Sequence, residues 1–157
     1  MKRFSLSAVF CLGLTLLQVS TALARDDMTP LLPPASVTSS TVPPNGDVNP
    51  YGVAFVPEGF PAYGTIGPRD LLVANFNKAN LQGTGTTIVK MIPNGDPVVF
   101  FQGTGLGLTT ALGVLKGGFV VVGNVLTTDG TFGTIKAGSL LVLNQTGTIE
   151  RRQGVRF

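Results

Sequence analysis

Histidine is absent from the 157 residues, and there is a single cysteine, Cys11. Without histidine the chain lacks the commonest general base, every Ser-His or Cys-His nucleophile pair and the usual transition-metal ligand. Carboxylates are sparse in the main body of the sequence and far apart, among them Asp47, Glu58, Asp70, Asp96 and Asp129. An acid pair of the kind that glycosidases use therefore has no support in the sequence, and we identify no catalytic residue.

The first 24 residues have the three parts of a secretory signal peptide. Lys2 and Arg3 give a positive start, an apolar run extends from Phe4 to Leu17, and Ala22-Leu23-Ala24 has the small-x-small pattern of a cleavage site. We predict a signal peptide over residues 1–24, cleavage after Ala24, and export to the periplasm or the extracellular space. The apolar run is too short for a retained spanning helix, so we expect no stable membrane insertion after cleavage. An uncleaved signal anchor is the alternative.

Removal of residues 1–24 would change what the rest of the chain can do. It takes away Cys11, so disulfides, thiolate catalysis and cysteine-based metal sites are excluded from the mature chain. Without Lys2 and Arg3, nine basic residues balance eight acidic ones, a net charge of +1. This near-neutral balance gives no indication of binding to nucleic acid.

Residues 25–49 read RDDMTPLLPPASVTSSTVPPNGDVN and are dense in proline, serine and threonine. They have neither a helical nor an alternating apolar period, so we predict an extended linker. The only adjacent carboxylate pair, Asp26-Asp27, lies in this linker.

From residue 50 onward, short runs of β-branched and aromatic residues alternate with glycine, proline and asparagine, which predicts an all-β body over residues 50–157. The runs are Gly52 to Val56, Leu71 to Phe76, Thr87 to Ile92, Val98 to Phe101, Ala111 to Leu115, Phe119 to Val125 and Leu140 to Leu143, with a weaker candidate at Thr148 to Arg152. Several runs are apolar on both faces, so both faces of the sheets should be covered.

Turn signals and strand runs recur in the same order, which indicates a weak internal repeat. Asn94-Gly95 lies between two strand-like runs, the strongest short-range signal for a hairpin. The spacing between matching residues is 61 for Gly52 and Gly113, 49 for Asn75 and Asn124, and 52 for Gly95 and Gly147. Each unit therefore has four short strands, the content of one blade of a β-propeller.

These four-strand units, with N-P-x-G-V-A opening the first strand at Asn49 to Ala54, resemble blades of the NHL-repeat and SMP-30-like six-bladed β-propellers. The resemblance implies a partial propeller of two antiparallel blades, about 50–103 and 109–157. It implies an exported, non-enzymatic NHL-like module of unknown ligand. The alternative is a partial hydrolase, metal-dependent and similar to SMP-30 and gluconolactonase, which would need a divalent cation; otherwise we predict no cofactor.

Two blades are fewer than a closed propeller needs, and open blades leave strand edges unpaired. We therefore expect a fragment of a longer protein, or copies that form a homo-oligomer through the open blade edges. A non-functional remnant of a longer gene is the third interpretation.

Four asparagines are the only site candidates. Asn75 and Asn124 recur at the end of the second strand of each unit, and Asn77 and Asn80 follow the first of them. The resemblance implies that such amides lie near the propeller axis, where the lactonases hold a divalent cation with oxygen ligands. The alternative is that each asparagine caps a turn. The Gly-rich stretches 83–87 and 103–107 match no phosphate-binding motif, so we predict turns there.

Overall fold

The computed structural model describes residues 35–107 and 109–154. The predicted signal peptide, its cleavage site after Ala24 and the first part of the predicted linker lie outside these residues. No helix in the described part of the chain is long and apolar enough to cross a membrane.

The described part of the chain is all-β, as predicted. Its strands are β1 (Asp47–Phe55), β2 (Leu71–Lys78), β3 (Thr87–Lys90), β4 (Val98–Gln102), β5 (Leu112–Leu115), β6 (Phe119–Val125), β7 (Gly138–Leu143) and β8 (Ile149–Gly154). One short 3-10 helix, Phe132–Thr134, lies between β6 and β7. The strands form two four-stranded sheets, β1-β2-β3-β4 (sheet 1) and β5-β6-β7-β8 (sheet 2), in which every neighbouring pair is antiparallel.

Tight turns join the strands where the sequence predicts them. Asn94 has a φ of 57°, and the amide of Gly95 donates a hydrogen bond to the carbonyl of Ile92, which closes the β3–β4 turn. Gly118 and Gly147, with φ of 93° and 80°, lie in the β5–β6 and β7–β8 turns. Positive φ is the reason that asparagine and glycine are favoured at these positions.

The pairing register shows that the two sheets repeat the same pattern. Val73 pairs with Val89 in sheet 1, and Val122 pairs with Leu141 in sheet 2. Asn75 and Asn124 follow two residues later on the central strands, so these two asparagines are equivalent, as predicted.

The predicted equivalence of Gly52 and Gly113 is wrong. The register pairs Val53 with Val73 and Leu112 with Val122, so Val53 corresponds to Leu112 and Gly52 corresponds to Ala111. The two glycines also differ in their surroundings, because only Gly52 lies in a close contact. A Cβ atom on Gly52 would lie 2.7 Å from the carbonyl oxygen of Thr110, whereas a Cβ on Gly113 would meet nothing within 4 Å.

The core lies between the two sheets, which pack face to face. From sheet 1 it receives Leu72, Ala74, Ile88 and Phe101, and from sheet 2 Val120, Val122, Leu141 and Leu143, with Leu112 and Val114 packed against them. Because side chains alternate along a strand, these residues define the inner face of each sheet. The first strands come close together, since a Cβ on Gly52 of β1 would lie 3.3 Å from the Cβ of Leu112 in β5.

The outer face of sheet 1 is partly covered by the chain that precedes it. The hydroxyl of Ser39 donates to the carbonyl of Ile92, and the side-chain amide of Asn75 donates to the carbonyl of Thr41. On the same face as Asn75, Val73 and Val89 are 3% and 0% exposed. The second half of the predicted linker is therefore part of the fold. Residues 47–49 belong to β1, and the residues around Ser39 and Thr41 bind sheet 1.

Strand β8 is exposed along its whole length and pairs with β7 only. The weaker candidate run at Thr148 to Arg152 is thus a strand whose described residues face solvent.

Candidate functional site

Asn124 links two strands and a loop at the inner face of sheet 2. Its Oδ1 accepts a hydrogen bond from the amide of Gly107 at 3.1 Å, and its Nδ2 donates to the hydroxyl of Ser139 at 3.1 Å. Asn124 is 3% exposed, and Ser139 is its cross-strand partner on β7. Both polar groups of the side chain are therefore used in holding the loop before β5 against sheet 2.

Asn75 has a different environment, although it occupies the equivalent position. It is fully buried, and its Nδ2 lies 2.7 Å from the carbonyl oxygen of Thr41. Its Oδ1 is buried without a hydrogen-bond partner in the described part of the chain. A buried acceptor without a partner is costly, so this oxygen is a place for a bound water or a ligand.

The structure does not bring the four predicted asparagines together. Asn75 lies on the outer face of sheet 1, and Asn124 lies on the inner face of sheet 2. Asn77 accepts a hydrogen bond from the amide of Gly83, and Asn80 is exposed. Since the Oδ1 of Asn124 already accepts a backbone hydrogen bond, Asn75 and Asn124 do not fit a shared cation. The described residues contain no group of three or more acidic side chains placed to hold a metal.

Asp47 is a buried carboxylate that the sequence does not mark as special. Its Oδ2 accepts hydrogen bonds from the Thr86 amide at 2.7 Å and from the hydroxyls of Thr87 and Thr86 at 2.8 and 3.2 Å. Hydrogen bonds to an ionised acceptor are stronger than neutral ones, so Asp47 fixes the start of β1 to the start of β3. The Oδ1 of Asp47 is buried without a partner in the described residues.

A cleft of about 500 Å³ lies on the outer side of sheet 1, beneath the segment that contains Ser39. Its apolar lining comes from Val37, Phe55, Leu71, Met91 and Pro93, and Ser39, Arg69 and Asp70 add polar groups. A cavity of this size is within the range that binds small ligands. Its size and its mixed apolar and polar lining suit a small ligand.

Arg69 lies at the rim of this cleft in an unusual conformation. Its φ is 73°, which is rare for a residue with a long side chain, and its amide donates to the carbonyl of Val56 at 2.8 Å. The guanidinium lies 3.7 Å from Glu58, but both side chains are mostly exposed, so this ion pair holds Arg69 only weakly. Strained backbone is often found at binding sites. No signal in the sequence indicates this conformation.

Asp70 is held more firmly behind Arg69. Its Oδ2 accepts a hydrogen bond from the Gly67 amide at 2.9 Å and lies 3.5 Å from the Nζ of Lys90. The same Nζ donates to the carbonyl of Thr65 at 2.8 Å. Asp70 and Lys90 thus neutralise each other, and Arg69 is the cation that the cleft presents to solvent.

Asp129 organises the loop between β6 and β7. Its Oδ1 accepts hydrogen bonds from the hydroxyls of Thr134 and Thr131 and from the Thr131 amide. These bonds, that of Thr134 foremost, lower the pKa of Asp129 below its ordinary value because they stabilise the charged form. The carboxylate is exposed and its acceptor bonds stay within its own loop, which indicates a structural role.

No family model, no curated protein and no solved structure matches this chain.

Proposed function

We propose that this chain is an exported, non-enzymatic binding module and that its two sheets are consecutive blades of an NHL-like β-propeller. The observation that carries the proposal is the repeated register, in which Asn75 and Asn124 occupy equivalent positions on the central strands of two stacked sheets. The close approach of β1 and β5 at Gly52 supports it further, because the first strands of neighbouring blades meet around a propeller axis.

The binding surface is the outer side of sheet 1. It combines the cleft beside Arg69 with two exposed apolar side chains of β1, Val53 and Phe55. Exposed apolar groups next to a charged rim are a common property of surfaces that bind another molecule.

The alternative function is a partial SMP-30-like or gluconolactonase-like hydrolase that depends on a divalent cation. One observation favours it: the Oδ1 atoms of Asp47 and Asn75 are both buried without a partner among residues 35–107 and 109–154, and oxygens of these types are ligands for such cations. The absence of histidine does not argue against a cation of this kind, because it prefers oxygen ligands.

Measurements on the protein recovered from the exported fraction test both functions. We expect an intact mass that has lost residues 1–24, less than a stoichiometric amount of any divalent cation, and no lactone hydrolysis. One bound calcium, magnesium or zinc ion per chain together with lactone hydrolysis would establish the hydrolase instead. A protein that stays inside the cell with its N-terminus intact would refute the export part of the proposal.

A further inference from the structure

Sheet 2 has an uncovered apolar face, which we call the open face. It comprises Leu115, Phe119, Val121, Gly123, Leu140 and Val142, which alternate along β5, β6 and β7 with the residues of the core. Leu115, Phe119 and Leu140 are 51%, 41% and 42% exposed. A groove of about 430 Å³ crosses this face between Phe119 and Val142, with Glu150 and Arg151 at its rim.

The outer face of sheet 1 has a smaller apolar area, which we call the β1 stripe. It comprises Val53 and Phe55, which are 57% and 69% exposed. The segment around Ser39 and Thr41 covers the β2 and β3 part of this face but leaves the β1 stripe exposed to solvent.

The register shows that the open face corresponds to one half of the interface inside the chain, and that the β1 stripe corresponds to the β5 part of the other half. Val53 is equivalent to Leu112 and Phe55 to Val114, since their partners on β2 and β6 are equivalent. Leu112 and Val114 are the β5 residues that pack against the core.

The open face repeats the other half of that interface. Val121, Gly123 and Leu140 are equivalent to Leu72, Ala74 and Ile88, which are the residues of sheet 1 that pack on sheet 2. The exposed part of the surface that matches the open face is the β1 stripe, because the β2 and β3 part, at Val73 and Val89, lies under the segment around Ser39 and Thr41.

We propose that the open face of sheet 2 binds the β1 stripe of a second copy of this chain, head to tail. The contact repeats the part of the internal sheet packing that Leu112 and Val114 of β5 make. Each surface also has one cation and one anion at its rim, Arg151 with Glu150 and Arg69 with Glu58, so neither brings an unmatched net charge to the contact. Such a heterologous contact forms a ring if its rotation closes and an open polymer if it does not. The inference rests on the proposed function and names the partner of its binding surface.

The test is the mass of the mature chain, residues 25–157, by light scattering after size exclusion, over a series of concentrations. We expect the wild type to form a multiple of the monomer. Leu140→Glu and Val53→Glu should each weaken association by at least about a hundredfold, because a carboxylate would be buried without a partner. Phe132→Glu is the matched control, since Phe132 is an apolar residue that is 92% exposed and lies on neither surface.

Mixing the two variants decides between a head-to-tail contact and a contact between two open faces. Leu140→Glu keeps an intact β1 stripe and Val53→Glu keeps an intact open face, so an equimolar mixture should form a two-chain species that neither variant forms alone. This rescue also shows that both variants are folded.

A monomeric wild type at every concentration overturns the proposal. Association of Val53→Glu as strong as that of the wild type also overturns it, because two open faces would then bind each other. Either result leaves the export, metal and lactone measurements standing, so the failure of this inference is distinguishable from the failure of the proposed function.

Discussion

The side-chain amide of Asn124 donates a hydrogen bond to the hydroxyl of Ser139 across β6 and β7, with 3.1 Å between the two atoms. In sheet 1, continuation of the pairing of Ala74 with Ile88 places Thr87 opposite Asn75. An asparagine facing a hydroxyl residue is thus a shared property of the two sheets. In sheet 2 the pair holds the loop before β5, whereas in sheet 1 the asparagine holds the segment before β1.

Asn124→Ala should lower the free energy of unfolding by about 1–3 kcal/mol, because the buried Gly107 amide loses its acceptor. Urea unfolding of the variant and the wild type measures the difference. Asn80→Ala is the control, since Asn80 is exposed and its loss should change stability by less than about 0.5 kcal/mol. Equal stability of the two variants would contradict the structural role of Asn124.

Asp47→Ala should lower the free energy of unfolding by at least about 2 kcal/mol, because the Thr86 amide and the Thr87 hydroxyl lose a charged acceptor. The exposed Asp96 provides the control, and Asp96→Ala should have little effect. Thermal or urea unfolding measures both changes. An Asp47 variant as stable as the Asp96 variant would mean that the start of β1 is not fixed by this carboxylate.

Gly52→Ala should destabilise the fold by about 1–3 kcal/mol, because its Cβ would lie 2.7 Å from the carbonyl oxygen of Thr110 and one of the two strands must move. Gly113→Ala is the control, at a strand glycine of β5 where a Cβ meets nothing within 4 Å. It should be neutral or slightly stabilising, since it only removes freedom from the unfolded chain. Destabilisation by Gly113→Ala equal to that by Gly52→Ala would contradict the close contact at Gly52.

The pKa of Asp129 should be lower in the folded protein than in the unfolded chain, mainly because of the Thr134 hydroxyl. A lowered pKa means that the charged carboxylate stabilises the folded loop above the unfolded pKa and that this contribution is lost as the pH falls through the folded pKa. A titration of the carboxyl carbon by NMR measures the pKa. Thr134→Ala should raise it toward its ordinary value, whereas Thr128→Ala, at an exposed neighbour outside these bonds, should not.

The strands could be predicted from the sequence because their residues have a strong local preference for β-structure. Each strand overlaps one of the runs read from the sequence, and β6 (Phe119–Val125) has the same bounds as its run. The β3–β4 turn follows in the same way from Asn94-Gly95, where positive φ decides which residues fit. The predicted propeller, its signal peptide and its NHL-like function stay predictions.

The remaining features depend on contacts between residues that are far apart in sequence. Ser39 binds the β3–β4 turn, yet its surroundings have the composition of a linker. The cleft depends on the backbone of Arg69, whose positive φ no pattern of residue types indicates. Gly52 and Gly113 look alike in the sequence. They differ only in the folded chain, where the oxygen of Thr110 excludes a side chain at Gly52.

The segment around Ser39 and Thr41 also determines where the independently stable unit starts. A version of the protein that starts at Pro50, where the runs of β-branched and aromatic residues begin, would lose the carboxylate of Asp47 and the segment that covers Val73 and Val89. A version that starts a few residues before Ser39 keeps both. The smallest piece worth crystallising or immunising with is therefore longer than the β-rich sequence alone, since it has to include Ser39, Thr41 and Asp47.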